Sequence, residues 1–148
     1  MLLDTLIKIF NRDLNKLKTE IELYKSESNL WIVDKTVTNS AGNLCLHIIG
    51  NLNTYIGAAL GNSGYVRQRD LEFSLKDIPK VELLRQVDEV IHIVENTLSK
   101  LTSEDLKKEF KRRATEDKMT TGYFLVHLST HLAYHLGQIN YHRRLLDS

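Results

Sequence analysis

The sequence predicts an all-α protein, a four-helix bundle with a long connection between its first and second helices. Apolar residues recur at three- and four-residue steps through four long segments, which is the helical period. The chain has a single proline and little of the alternation that marks strands. Its 148 residues, 42% of them hydrophobic, are enough for one domain with its own core. We therefore expect residues 1–148 to form a single helical-bundle domain.

The first helix is predicted from about residue 2 to 26. Its apolar face is formed by residues at helical spacing, namely Leu3, Leu6, Phe10, Leu14, Leu17, Ile21 and Tyr24. Residues 28–40, around Trp31, are of mixed character and predict a long connection with room for a turn of helix. This connection ends in a Thr-Asn-Ser run, three residue types that cap helices well.

The second helix is predicted from about residue 40 to 60, and apolar residues lie nearly all round it. Its remaining positions are mostly small or weakly polar, with His47 among them. A helix with two usable faces is either central in its fold or half-buried in a partner subunit. The Gly-Asn-Ser-Gly sequence at 61–64 ends this helix.

The third helix is predicted over about 79–101, with a proline that suits its first turn. The Thr-Ser-Glu-Asp sequence at 102–105 predicts the cap of a short following helix. The polar residues 110–119 predict a loop. A threonine at 120 or 121 then caps a last, long helix that ends near residue 146.

Composition excludes several classes of function. The net charge of +1 gives no electrostatic case for binding nucleic acid or an anionic membrane, and the basic cluster at 107–113 is typical of a solvated face. The single cysteine, Cys45, excludes an internal disulfide and, between two leucines, predicts a buried thiol rather than a nucleophile. The first residues, MLLD, lack the basic region of a signal peptide, and no apolar run reaches the ~20 residues that a membrane span needs. We therefore expect a cytoplasmic protein.

Three of the six histidines lie four residues apart in HLSTHLAYHLGQ, residues 127–138. Because successive helical residues turn by about 100°, His131 and His135 fall on an apolar stripe and project into the core, whereas His127 lies on its shoulder. Two histidines at i and i+4 can reach one ion; the alternative is a pair of core histidines bonded to other side chains or water. Zinc peptidases place a glutamate directly after the first histidine of this motif. Leu132 stands there, which disfavours a peptidase of that kind.

A third ligand has to come from elsewhere in the chain. His142 faces inward but lies nearly two turns beyond His135, too far to share an ion. His92 ends an ExxH sequence, a di-iron motif, but it faces solvent, and a di-iron site needs a second such motif that this sequence lacks. His47 remains, on a face small enough to pack closely against another helix. Periodicity alone does not nominate it, so the residues leave its role open.

His47 within NLCLHIIGNLNTYI (43–56), followed by HLSTHLAYHLGQINYHRRLL (127–146), resembles the DinB-like superfamily over essentially the whole chain. The shared features are the order of four helices, one histidine on the second helix and an HxxxHxxQ segment on the last. The sequence looks most like the small uncharacterised branch with HxxGN on the second helix. The combination is specific, although each piece alone is not.

The resemblance implies a four-helix bundle with a non-standard helix order, usually dimeric, so we expect a homodimer. It also implies a metal site of three histidines, which are here His47, His131 and His135. Three neutral imidazoles suit a divalent ion, for which zinc or nickel is the expected cofactor. Some relatives are thiol transferases that use bacillithiol, mycothiol or glutathione as a low-molecular-weight thiol cosubstrate.

We predict from these features a divalent-metal-binding bundle that acts on a small-molecule substrate as a thiol S-transferase or a related hydrolase. Three protein nitrogens leave an open coordination position, which is typical of catalytic sites. Four further side chains could orient ligands or move a proton, although packing around the site is the better interpretation of each. These residues are Asn51, Tyr55, His127 and Gln138. Trp31 could line the pocket, but a core anchor is the better interpretation. The alternative functions are a non-enzymatic metal-binding dimer, such as a stress-related sensor or scaffold, and an ordinary bundle with core histidines.

Overall fold

Four long helices form the bundle, and they confirm the predicted all-α fold. The computed structural model describes residues 1–112 and 118–148. In chain order the helices are α1 (Leu2–Leu23), α2 (Ala41–Leu52), α3 (Ala59–Gly61), α4 (Arg69–Ser74), α5 (Lys80–Ser99), α6 (Ser103–Lys107) and α7 (Thr121–Leu146). Within the described ranges, no helix has the length and apolar character needed to cross a membrane. The single-domain organisation stays a prediction.

α1 packs against α5 and α7 and buries one face there. The buried apolar residues of that face are Leu6, Phe10, Leu14, Leu17 and Ile21. The helix ends at Leu23, before the predicted end near residue 26, because Tyr24 is extended. The backbone N–H groups of Lys25 and Ser26 donate instead to the carboxylate of Asp147, at 2.7 and 3.2 Å. The C-terminal end of the chain thus supplies acceptors that replace another helical turn.

α2 is the central helix of the fold, since all of its residues are buried. Ser40 caps it by accepting a hydrogen bond from the backbone N–H of Asn43 at 3.2 Å. The helix continues through a π-helical turn, Asn53–Ala58, into α3. It ends where Asn62 takes a left-handed conformation with φ of 51°. The two-faced sequence pattern therefore reflects a helix that is buried on all sides.

The connection between α1 and α2 contains a short 3₁₀ helix, Glu27–Trp31. Trp31 is buried, and its ring lies against Gly42 of α2, where a Cβ would come within 2.6 Å of the indole. This close approach favours the interpretation of Trp31 as a core anchor.

The sequence did not predict α4, the short helix between α3 and α5. It packs along α2. The side-chain amide of Asn43 fastens it there, donating to the backbone carbonyl oxygens of Glu72 and Leu75 at 2.9 and 2.8 Å. This contact places Glu72 against the middle of the central helix.

The segment after α6 differs in part from the predicted loop over 110–119. Glu109–Phe110 (β1) pairs antiparallel with Met119–Thr120 (β2). The second residue of β1 is buried and stacks on Phe124 of α7, with ring centroids 4.4 Å apart. This packing holds the short hairpin against the bundle. Residues 113–117 of the predicted loop lie outside the described residues.

Candidate metal centre

α2 and α7 bring three histidines together. His47 lies in the middle of α2, and His131 and His135 lie one turn apart on α7. The Nε2 atom of His131 is 3.2 Å from Nε2 of His47 and 3.2 Å from Nε2 of His135. The three candidate ligand atoms all lie within 4.8 Å of one another. The residues nominated by spacing and by resemblance therefore form one cluster.

Glu72 and Arg67 contact the side of the His47 ring that faces away from the cluster. Glu72 Oε1 lies 3.0 Å from His47 Nδ1, and because an ionised carboxylate only accepts, Nδ1 carries the proton. Arg67 donates to both carboxylate oxygens, through Nε at 2.9 Å and through Nη2 at 3.0 Å. Arg67 Nη2 and His47 Nδ1 are also 3.4 Å apart. Both atoms are donors, and both donate to Glu72 Oε1 rather than to each other. A ring with its single proton on Nδ1 presents the Nε2 lone pair to the other histidines.

Gln138 has the equivalent position behind His135. Its side-chain Oε1 accepts a hydrogen bond from His135 Nδ1 at 2.7 Å. Gln138 follows His135 by one helical turn, so both side chains lie on the same side of α7. The Nε2 atom of His135 is thereby left free to face His131.

The protonation states around the cluster follow from burial and neighbouring charges. Burial, followed by the charges of neighbouring histidines and of Arg67, lowers the pKa of His131 to about 4. Burial also lowers the pKa of His135, against the hydrogen bond to Gln138, which favours the protonated form. Burial would raise the pKa of Glu72, but hydrogen bonds from His47 and Arg67 lower it. The lowered pKa values of His131 and His135 favour the neutral imidazoles that metal ligation requires.

This donor set fits a divalent cation. His47 and His135 have protonated Nδ1 atoms, so their Nε2 atoms are bare lone pairs when the rings are neutral. If His131 carries a proton on Nε2, it can donate that proton to Nε2 of His47 or to Nε2 of His135, but not to both. One of the two 3.2 Å contacts between nitrogens then has no proton in it. A central cation would satisfy all three, since Zn–N bonds of about 2.0–2.1 Å in a tetrahedron put adjacent nitrogens about 3.3 Å apart. Metal binding itself stays a prediction.

Asn51 and Tyr55 continue the His47 face along the second helix at four-residue steps. Asn51 is buried, and its Oδ1 atom has no hydrogen-bond partner among the described residues. An unpaired buried acceptor of this kind is destabilising by about 1–3 kcal/mol. Tyr55 packs edge-on against Phe124 at 5.2 Å between centroids, and Arg67 Cζ lies 5.9 Å from its ring centre.

The remaining histidines lie outside the cluster. His127 is exposed on the shoulder of α7, and His92 is exposed on α5, as the helical wheel predicted. His142 is buried and held by two neighbours, with Tyr24 Oη 2.6 Å from Nδ1 and the Ile32 carbonyl oxygen 2.9 Å from Nε2. Because the carbonyl can only accept, Nε2 donates to it and Nδ1 accepts from the tyrosine. His142 therefore acts as a structural histidine.

Arg67 and Glu72 are absent from the predicted site residues, because they lie in the stretch between the second and third long helices, where no periodicity marks them. One available signal was Gly50, because a glycine inside a helix often marks a close packing contact. A Cβ at this position would lie 2.6 Å from Glu72 Cδ. The glycine of the HxxGN sequence thus makes room for the carboxylate behind His47.

The fold and the site define a class of protein, a helical bundle with a three-histidine cluster between its second and last long helices. The chain belongs to the family described as protein of unknown function (DUF1572), which it matches over residues 2–148. No curated protein matches it.

One similar solved structure is YfiT from Bacillus subtilis, described as a probable metal-dependent hydrolase with an unusual four-helix bundle topology. The two structures align with a TM-score of 0.77 and 18% sequence identity, over 97% of this chain and 86% of the YfiT chain. At this identity the likeness shows the fold alone. Family and fold together place the chain in the DinB-like superfamily, which confirms the resemblance seen in the sequence.

Proposed function

We propose that this protein is a divalent-metal-dependent enzyme of the hydrolase or thiol S-transferase class, with His47, His131 and His135 as metal ligands. The observation that carries the proposal is the convergence of three Nε2 atoms, two of them on rings whose Nδ1 is held by Glu72 or Gln138. The description of YfiT as a probable metal-dependent hydrolase supports the same class of reaction on the same fold. Zinc or nickel is the proposed ion.

Three protein ligands leave one position of a tetrahedral site open, and an ion there would acidify a water or thiol that binds to it. The chain's own residues provide access and orientation. His131 and His135 are only half-buried, so the cluster is accessible from the side of α7. The exposed side-chain amide of Gln138, beside His135, offers a donor that can orient a substrate.

Any thiol used in the reaction has to come from outside the protein. Cys45 is the only cysteine in the chain. It is buried in α2, and burial raises the pKa of its thiol to about 12. A thiol that is protonated at neutral pH and out of contact with solvent is a poor nucleophile. We therefore propose a low-molecular-weight thiol, such as glutathione, bacillithiol or mycothiol, as the cosubstrate of an S-transfer reaction.

Elemental analysis of the purified protein tests the metal site. We expect a divalent metal in the wild type and its loss in His47→Ala, His131→Ala and His135→Ala. His92→Ala is the matched control, because it removes an exposed histidine from another helix, and it should retain the metal. Unaltered metal content in the three cluster variants would remove the site from the proposal.

Turnover assays separate the enzyme from its alternative. Metal-loaded and metal-free protein are compared for ester or amide hydrolysis, and for consumption of each thiol with a panel of electrophiles. Turnover that requires the metal and disappears in His131→Ala supports the enzyme. Metal binding without turnover across the panel refutes it and favours the non-enzymatic metal-binding sensor or scaffold.

A homodimer in the cytoplasm, acting on a small molecule, completes the proposal. The net charge of +1 supports partners other than nucleic acid or anionic membranes. Sedimentation equilibrium tests the dimer, for which we expect twice the mass of the chain. A mass of one chain at micromolar concentration would refute it.

A further inference from the structure

The carboxylate of Glu72 is buried behind His47, although nothing in the spacing of the cluster requires it there. Its side chain is only 6% exposed, and two donors meet on Oε1, one from His47 and one from Arg67. We propose that Glu72 is a positioning residue that fixes the Nδ1–H tautomer and the orientation of the His47 ring, and that Arg67 and Gly50 set its carboxylate in place. This inference rests on the proposed metal-dependent function and adds the groups that aim one ligand.

Contacts other than the Glu72 side chain also hold α4 on α2. Asn43 already fastens α4 to α2 through the backbone carbonyls of Glu72 and Leu75. A purely structural carboxylate would duplicate this anchor at the expense of burying a charge, which is unfavourable unless the charge is paired. The backbone contacts of Asn43 hold α4 in place, but they do not explain why the Glu72 carboxylate points toward Nδ1 of His47.

Arg67 fixes the plane of the carboxylate. It donates to both oxygens of Glu72, and such paired hydrogen bonds restrict the orientation of both groups. The guanidinium also lies over the ring of Tyr55, which limits its own movement. Gly50 completes the arrangement, because any side chain there would collide with the carboxylate.

Removing the acceptor would change what His47 presents to the cluster. Without Glu72, the neutral ring can carry its proton on Nε2, which puts an N–H against His131 in place of a lone pair. Arg67 Nη2, which lies 3.4 Å from Nδ1, can then donate to Nδ1 and stabilise that tautomer. Loss of an acceptor behind a metal-bound histidine typically weakens metal affinity about 10–100-fold.

Zinc affinity, measured by competition with a chromophoric chelator, tests the proposal. We expect Glu72→Ala to bind zinc about 10–100-fold more weakly than the wild type. Glu72→Gln should lose less, because its amide oxygen can still accept from Nδ1 while its NH₂ group opposes Arg67. If Glu72→Ala does not fold, the zinc affinity of Glu72→Gln alone decides the test. Unchanged zinc affinity in both variants, with a lower Tm, would show a structural role only and overturn the proposal.

The matched control is Glu20→Ala. Glu20 also receives an arginine and an amide, accepting from Arg143 Nε and Asn140 Nδ2 at 2.7 Å each. Both donors lie on α7 more than one turn beyond His135. This variant should lower the Tm through loss of the same kind of interaction and leave zinc affinity unchanged. An equal loss of zinc affinity in Glu20→Ala would assign the effect to general loosening and also overturn the proposal.

A second measurement separates this proposal from the proposed function. The ¹⁵N chemical shifts of His47 in the metal-free protein should report Nδ1–H in the wild type and a mixture of tautomers, or Nε2–H, in Glu72→Ala. Retention of Nδ1–H in the variant would overturn the positioning role even if zinc binds. A wild type that binds no metal would refute the proposed function, whereas the tautomer of His47 would still decide the role of Glu72.

Discussion

Replacing Gly50 with alanine gives a sharp test of the contact between α2 and α4. In an ordinary helix interior this change is favourable by about 1 kcal/mol, because alanine has the higher helix propensity. Here the added Cβ would lie 2.6 Å from Glu72 Cδ, closer than the atoms can approach. The carboxylate has to move, and it can move only by breaking its hydrogen bonds to His47 and Arg67.

The magnitudes decide the sign of this change. Hydrogen bonds to charged groups contribute about 1.5–3 kcal/mol each, so the loss of one outweighs the gain of about 1 kcal/mol in propensity. The free energy of unfolding should therefore fall by about 0.5–2 kcal/mol. For a chain of this length, that decrease lowers the Tm by about 2–6 °C.

Thermal unfolding of metal-free Gly50→Ala, followed by circular dichroism, measures this effect. Gly137→Ala is the matched control, since Gly137 is also helical but an added Cβ there meets no atom within 4 Å. The control should gain about 1 kcal/mol from propensity alone. The same protein samples are then titrated with zinc, and we expect weaker binding only in Gly50→Ala. A rise in Tm in both variants, with wild-type zinc affinity, would refute the reasoning.

Three further predictions concern neighbouring groups. His131 takes up a proton near pH 6.5 in the unfolded chain but only near pH 4 in the folded chain. The stability of the metal-free protein should therefore fall as the pH is lowered through this window. In the presence of a chelator, the Tm of His131→Gln should depend less on pH than the Tm of the wild type. In urea unfolding, Asn51→Ala should lower the free energy of unfolding by about 1–3 kcal/mol less than Asn43→Ala does. Only the change at Asn43 removes hydrogen bonds made by the side-chain amide. Equal losses in the two variants would contradict this prediction. Tyr24→Phe should lower the free energy of unfolding by about 1–3 kcal/mol, because it leaves Nδ1 of His142 unpaired. Its zinc affinity should be unchanged. A variant as stable as the wild type would show that this hydrogen bond does not stabilise the fold.

The parts of the site that depend on one long helix could be predicted from the sequence. His131 and His135 share a face of α7 because residues four apart always do so in a helix. Gln138 contacts His135 for the same reason, one turn further on. Each of these relations needs only the helical period, and the period is written in the apolar residues of the segment.

His47 could not be placed by the same method. A helical wheel assigns direction by contrasting an apolar side with a solvated side. α2 has no solvated side, since every residue in it is buried, and each position therefore looks alike. The histidine order shared with the DinB-like superfamily was the information that selected it.

Glu72 and Arg67 escaped prediction because their role depends on tertiary contact alone. α4 is only six residues long, too short to show a period or to be stable by itself. Its place on α2 depends on the amide of Asn43, an anchor that no local pattern reveals. The early end of α1 has a similar origin, since Asp147 accepts from backbone groups near residue 25.

The orientations of two of the cluster histidines, His47 and His135, are therefore set at two different levels of the fold. The proton on Nδ1 of His135 is held from within α7, by Gln138 on the same helix. The proton on Nδ1 of His47 is held from α4, a separate helix that lies across the face of α2. A change within α7 acts directly on His131 and His135, whereas a change in α4 acts directly on His47 and reaches the other pair only through it. Because Glu72 is the only buried residue of α4 and no residue of α4 belongs to the main apolar core, we expect a change in α4 to alter metal affinity without repacking the bundle.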